Sequence, residues 1–369
     1  MIRADPESFV DQSYEGIVRT LTSGGSTGDP LVVTFDHGAL ARDRANTYFY
    51  LWLRGHSPNR SRSIRLHGDV LPREIIRSGN YWFAATRRKL VMSNQHIDSS
   101  TIASYLSAID SWRADYIHAF PSTAFLLAKT ALDCGVRLKT RVPFVYVDSE
   151  NLYPGQRRLI EDFFGGELCH VYGHTEGATV GVPFPGSSDF HFLSQVGLVE
   201  IVKGDLSQHW EPGVNGELVV TGLNNKIFPL IRYRTNDFGT VSNALDPFSR
   251  YPRLSSIEGR EQDFAEDRHG RRVPVAPLLF DYNIDWSGVS RFQVCQKSVG
   301  TLEVKIVAEQ SHSDSIGLVK RVTEQLDTAF GNNFSISVQP VKTLSATARG
   351  KFRYFVNEVP LQKTSRNSG

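Results

Sequence analysis

Tyr116-Ile117-His118-Ala119-Phe120, a helical run from Thr123 to Cys134 stopped by Gly135, and Val142-Pro143-Phe144-Val145-Tyr146-Val147 follow one another as strand, helix and strand. The short runs are rich in β-branched and aromatic residues, and the long one has its apolar positions at helical spacing. A second helix runs from Pro154 to about Phe164, stops at Gly165-Gly166, and gives way to a strand over Glu167 to Val171. This alternation predicts an α/β layer with a largely parallel sheet. Ligands of such sheets sit beyond the carboxyl ends of the strands. The loops Pro121-Ser122, Asp148-Ser149-Glu150 and Tyr172-Gly173-His174-Thr175-Glu176 all occupy that position.

Working outward, Leu31 to Phe35 reads as a strand, and the stretches Asp36 to Leu53 and Thr101 to Ala114 read as helices. From about Gly197 the texture changes to strands joined by turns, at Val199 to Val202, Gly216 to Thr221 and Leu230 to Tyr233. A smaller unit follows Gly259-Arg260, with a hairpin signal at His269-Gly270, strands near Phe292 to Val294 and Leu302 to Val307, a helix from about Ser313 to Phe330, and a strand at Ser335 to Val338. At 369 residues the chain exceeds one typical core. The expected division is a large N-terminal domain over 1–260, with mixed or parallel sheets and flanking helices, and a small mobile α+β domain over 261–369.

Hydrophobic residues make up 40% and charged residues 22%, an ordinary globular composition. The formal net charge of +2 and the shortness of basic runs such as Arg87-Arg88-Lys89 argue against a nucleic-acid partner. No apolar stretch approaches the roughly 18 residues of a membrane helix, and Met1 to Pro6 lacks a signal-peptide pattern. Cys134, Cys169 and Cys295 lie far apart and form no ligand cluster, which suits a cytoplasmic location.

Five segments carry chemistry. Ser23-Gly24-Gly25-Ser26-Thr27-Gly28-Asp29-Pro30 lets backbone approach an anion closely and adds hydroxyl donors, although alone it reads slightly better as a turn. It lacks the Gly-Lys-Ser/Thr ending of a Walker loop. Thr175 and Glu176 could bind phosphate and Mg²⁺, since Mg²⁺ prefers carboxylate and phosphate oxygens. Asp237, in Arg232-Tyr233-Arg234-Thr235-Asn236-Asp237, could accept hydrogen bonds from ribose hydroxyls. Gly259-Arg260-Glu261-Gln262-Asp263 and Thr347-Ala348-Arg349-Gly350-Lys351-Phe352-Arg353 add an arginine and a late lysine. Each of these alone reads better as polar surface.

With the strand Gly216-Glu217-Leu218-Val219-Val220-Thr221 they make six motifs, whose order resembles the superfamily of adenylate-forming acyl- and aryl-CoA ligases, luciferases and peptide-synthetase adenylation domains. The phenylacetate–CoA ligase branch is the most similar. The resemblance implies that Ser23, Gly24, Gly25, Ser26, Thr27 and Gly28 cradle the phosphates of ATP, that Thr175 contacts phosphate and that Glu176 coordinates Mg²⁺. It implies that Tyr172 packs by the adenine, that Asp237 binds the ribose with Arg260 assisting, that Asp263 is a hinge, and that Lys351 is the catalytic lysine. The implied activity is activation of a small aryl or other carboxylic acid as an acyl-adenylate, with transfer to CoA, a phosphopantetheine carrier protein or an amine. Transfer of AMP to an acceptor and a catalytically silent nucleotide-binding relative are the alternatives, and a homodimer is an assembly the resemblance allows.

Positions at strand ends select His67, Phe120, Ser149 and Gly173 as pocket lining, although a buried histidine or phenylalanine is more often simple core packing. Three departures from the branch stand out. About twenty residues precede the phosphate loop, against a much longer segment in relatives, so the counterpart of that segment is expected to be dispensable or supplied by another subunit. Gly181 to Leu193 carries no cysteine, so no structural metal is expected there. Leu31 stands where many members of the wider superfamily have a lysine, which leaves backbone amides and hydroxyls to hold phosphate.

Overall fold

The computed structural model describes residues 2, 5–22, 31–57, 59–69, 71–204, 207–245, 252–260, 264–274, 284–309, 314–330, 333–344 and 352–359. The chain divides into two compact units. One contains residues 1–97, 101–152 and 157–261, and the other is built chiefly from residues 262–369.

The larger unit opens with a hairpin of β1 (Val18–Thr22) and β2 (Val32–Asp36), followed by α1 (His37–Leu53). Next come β3 (Ser63–Leu66), α2 (Arg73–Arg77), β4 (Trp82–Thr86), β5 (Lys89–Met92), α3 (Ile102–Trp112), β6 (Tyr116–Ala119) and α4 (Pro121–Asp133). Then follow β7 (Phe144–Asp148), α5 (Pro154–Phe164), β8 (Glu167–Gly173), β9 (Val180–Pro183) and β10 (Phe190–Phe192). The last four strands are β11 (Gly197–Val202), β12 (Asn215–Gly222), β13 (Tyr233–Leu245) and β14 (Pro252–Arg260). All but β1 and β2 join one sheet of twelve strands, in the order β11-β12-β13-β14-β10-β9-β8-β7-β6-β3-β5-β4.

The expected parallel layer is the run β5-β3-β6-β7-β8, whose neighbours all pair parallel. Every other pairing in the sheet is antiparallel, so the sheet is mixed. Side chains alternate across a strand. On one face Ile64, Leu66, Ile117, Ala119, Val145, Val147 and Leu168 pack with α3, α4 and α5. From α3 that core takes Ile102, Tyr105, Leu106 and Ile109, at the i, i+3, i+4, i+7 spacing of one helical stripe. Each such burial contributes about 1.5–3 kcal/mol. On the other face Tyr116, Phe144, Tyr146, Cys169 and Val171 pack with Tyr50 and Leu51 of α1. The Asp36 carboxylate caps α1 by accepting from the Ala39 amide at 2.7 Å.

Gly166 shows how tightly the entry to β8 is fixed. A Cβ there would lie 2.0 Å from the Val142 carbonyl oxygen, so only glycine lets the chain turn from α5 into the strand. Two expected boundaries move. Strand β8 runs on through Tyr172 and Gly173, and the strand expected at Leu230 to Tyr233 instead begins at Tyr233 and extends to Leu245. Arg232, with φ of 46°, turns the chain just before it.

The smaller unit holds the hairpin β15 (Phe264–Glu266) and β16 (Arg272–Pro274), then β17 (Val289–Ser298), β18 (Thr301–Ala308), α6 (Ser315–Phe330), β19 (Ser335–Pro340) and β20 (Phe355–Asn357). Its separate sheet has the order β19-β18-β17-β20. Leu318, Val322, Leu326 and Phe330 of α6 meet the alternating Leu302, Val304 and Ile306 of β18. The expected class therefore holds: a large mixed-sheet α/β unit and a smaller α+β unit with its own sheet. No described helix is long and apolar enough to cross a membrane.

Candidate active site

Two polar clusters form at the carboxyl ends of the parallel strands. The first is built around Glu176 and Asp237. Strand β8 delivers Tyr172 and leads into His174 and Glu176, and β13 delivers Tyr233 and Asp237. Tyr172 donates its hydroxyl to Asp237 Oδ2 at 2.7 Å, and Tyr233 donates to Glu176 Oε1 at 3.0 Å. His174 Nδ1 lies 3.2 Å from Glu176 Oε2.

A bulge aims Asp237. On β12, Glu217 pairs with Phe238 and Val219 with Arg234, so Leu218 faces three residues of β13. Asn236 takes φ of 60°, a conformation asparagine tolerates better than most residues. Thr235 locks the bulge, because its hydroxyl donates to the Leu218 carbonyl at 2.8 Å and accepts from the Asp237 amide at 3.0 Å. Asp237 stands directly across from Arg260 in the pairing of β13 with β14, so two expected nucleotide residues share one rung of the sheet.

Burial opposes the charged form of Glu176, but the His174 imidazole and Tyr233 hydroxyl outweigh it and hold its pKa at about 2. Burial and the neighbouring Asp237 carboxylate push the Tyr172 phenol well above its ordinary range. An ionised carboxylate has acceptor capacity beyond these two donors, so Glu176 fits a Mg²⁺ ligand. Among the described residues, His174 Nε2 is buried without a hydrogen-bond partner, the kind of orphan that a bound group satisfies.

The second cluster joins Arg65 from β3, His67 just after it, His118 from β6 and Asp148 from β7. His67 Nε2 lies 2.6 Å from Asp148 Oδ1, and His118 Nε2 lies 3.0 Å from Asp148 Oδ2. Arg65 reaches His118 Nδ1 at 3.2 Å and His67 Nδ1 at 3.4 Å, and its Nε donates to Asp69 at 2.7 Å. The His67 ring lies against Phe120, with centroids 3.8 Å apart. Burial pushes His118 below its ordinary value, against the pull of Asp148. Burial also opposes the Asp148 charge, yet the two imidazoles hold its carboxyl well below the usual range.

Of the residues selected from sequence, Tyr172, Thr175, Glu176 and Asp237 lie at the first cluster or its loop, and His67 and Phe120 at the second. Phe120 is only 2% exposed, so its part is to back the His67 ring. Ser149 is exposed with φ of 69°, and Gly173 is exposed beside open space. Ser23 to Gly28, Asp263, Lys351 and the Arg260 side chain lie outside the described residues. Arg65, His118, Asp148, His174 and Tyr233 were not singled out as site residues, although the i, i+2 alternation of β3, β6 and β7 carried the signal for the first three.

Residues 279–358 match the family model of the CapK C-terminal domain. The chain is 21% identical over 367 residues to Protein CapK of Staphylococcus aureus, covering 97% of this chain and 78% of that one. Among solved structures, 2-hydroxyisobutyryl-CoA ligase in the postadenylation state with R3-HIB-AMP superposes with a TM-score of 0.67 at 17% identity, over 96% of this chain and 77% of the ligase. The anthranilate CoA ligase AuaEII with anthranoyl-AMP gives 0.59 at 15% identity, over 93% and 67%. At these identities the likeness is one of architecture, and it identifies the chain as having the fold of the adenylate-forming CoA ligases and adenylation domains.

Proposed function

We propose that the chain activates a carboxylic acid with ATP and passes the acyl group to a thiol. The carboxylate oxygen bonds to the α-phosphorus, the bond to the β-phosphate breaks, and pyrophosphate leaves with the electron pair. A thiol then attacks the acyl carbon and AMP departs. The observation that carries this reading is the first cluster: motifs separated by more than fifty residues converge, with Tyr172 on Asp237 and Tyr233 on Glu176. Asp237 is suited to accept from ribose hydroxyls. When bound at Glu176, Mg²⁺ would offset charge on phosphate oxygens. Lys351 is proposed to supply further positive charge to the adenylation step, within a large unit of 1–260 and a small unit of 261–369 hinged at Asp263. The two solved relatives above are CoA ligases by name, which supports CoA as the acceptor.

The test is acid-dependent exchange of labelled pyrophosphate into ATP across a panel of acids, with Lys351→Ala alongside. Exchange that requires an acid and collapses in the variant supports the proposal. AMP transfer to a phenol without acid-dependent exchange would turn it into an adenylyltransferase.

A further inference from the structure

The second cluster has a charge and a polarity that specify its ligand. A guanidinium can only donate hydrogen bonds, so Arg65 fixes Nδ1 of both His67 and His118 as acceptors. Both imidazoles are then neutral and present Nε2–H to the two oxygens of Asp148. That arrangement is unsuited to a metal, although His67, His118 and Asp148 are close enough together to hold one. An ion on either Nε2 would need a proton on Nδ1, pointed at the guanidinium. Arg65 pairs with Asp69, whereas Asp148 is met by the two neutral imidazoles, so the Asp148 carboxylate keeps its negative charge.

That charge faces space. The Asp148 side chain, at the last residue of β7, is 20% exposed. Asp148 pairs with Val171 on β8, and Gly173 lies two residues further along the same face. Among the described residues, a Cβ built at Gly173 would meet nothing within 4 Å. The His67 ring, backed by Phe120, walls the other side. A carboxylate entering this space is repelled by Asp148 and turns its own charge away from it, while a donor at its far end adds to the partners Asp148 already has in His67, His118 and the Tyr146 hydroxyl.

We propose that Asp148 reads a hydrogen-bond-donating hydroxyl or amino group on the acid, so that the substrates are hydroxy- or amino-substituted carboxylic acids. The inference rests on the acid-activation reading above. Asp148 is the recognising group, and Arg65, His67 and His118 are positioning residues.

The experiment uses the full chain and matched acids on short branched-chain, benzoate and phenylacetate skeletons, each carrying hydroxyl, amino, methyl, hydrogen or a second carboxylate. Pyrophosphate exchange and direct binding by calorimetry are both read. A site built around a buried polar group rejects the analogue lacking the donor by about a hundredfold or more. The expected result is that preference for hydroxyl or amino over methyl in kcat/KM, with the dicarboxylate poorest. Asp148→Ala should erase the preference by raising KM for the substituted acid to the level of the methyl analogue. Equal use of methyl and hydroxyl analogues by the wild-type chain overturns the proposal without a variant. So does one zinc ion per chain retained by wild type and lost in His67→Ala. Selective binding of the substituted acid without exchange upholds the pocket assignment and overturns adenylation. Absence of both exchange and binding overturns both.

Discussion

The two clusters each hold an ionised carboxylate at the end of a parallel strand, but they hold it differently. Glu176 and Asp237 are 5% and 8% exposed and take hydrogen bonds from phenols and a histidine, in a corner where β8 meets a bulged antiparallel strand. Asp148 is more open, and it is met by two imidazoles whose tautomers an arginine dictates, with the Tyr146 hydroxyl beside them. The first cluster is built from contiguous sequence segments and the second from one or two residues on each of three strands. A site for a ligand of fixed chemistry can be written as local motifs. A site for a variable ligand is spread across strands that can be altered one residue at a time.

The largest expected effect tests that division of labour. Glu176→Gln keeps the shape but removes the charge, and pyrophosphate exchange should fall about a hundredfold or more with every acid. A loss confined to some acids would break the comparison. Gly166→Ala should cost at least about 3 kcal/mol in denaturant unfolding, because backbone must move away from the Val142 carbonyl. Since Gly166 adjoins β8, nucleotide binding should suffer more than acid selectivity.

Acidification sharpens the contrast next. His170 on β8 is half-buried and donates to the Glu150 carbonyl, and its desolvation lowers its pKa to about 4. The folded chain then binds fewer protons than the unfolded chain between that value and the ordinary 6.5. Stability therefore rises with pH across this window, by about 3 kcal/mol at most. His118 is shifted in the same direction. Glu176, near 2 when folded and 4.5 otherwise, extends the loss to lower pH, since its stabilisation is present above the unfolded value. Chemical denaturation at pH 4 to 7 measures the slope, and His170→Asn should flatten it. The smallest effect is Tyr172→Phe, which deletes one bond to Asp237 and should cost about 1 kcal/mol, read as a modest loss of ATP affinity.

The α/β layering was legible because Val145 and Val147 face one core and Phe144 and Tyr146 another, which makes β7 a continuous apolar run between glycine and proline punctuation. Strands β1, β3, β4, β5, β9, β10, β14 and β20 escaped notice, being short, polar or interrupted, with their identity set by neighbours distant in sequence. At the site, Tyr172, Glu176 and Asp237 were readable because each lies in a contiguous motif. The bulge at Asn236 was not, since it exists only relative to the register of β12. Asp148 stood in a loop already marked as lying beyond a strand, but its partners are 30 and 81 residues away. Nothing local connects them.

Those separations also make the second cluster a clock. Arg65, His67, His118 and Asp148 meet only after β3, β6 and β7 have all aligned, and a slip of one residue in any of them would turn its polar side chain into the layer under α3, α4 and α5. Contacts that close long loops form late. The imidazole proton signals of His67 and His118 should therefore be among the last in the large unit to reach native positions during refolding, a built-in reporter of completed assembly.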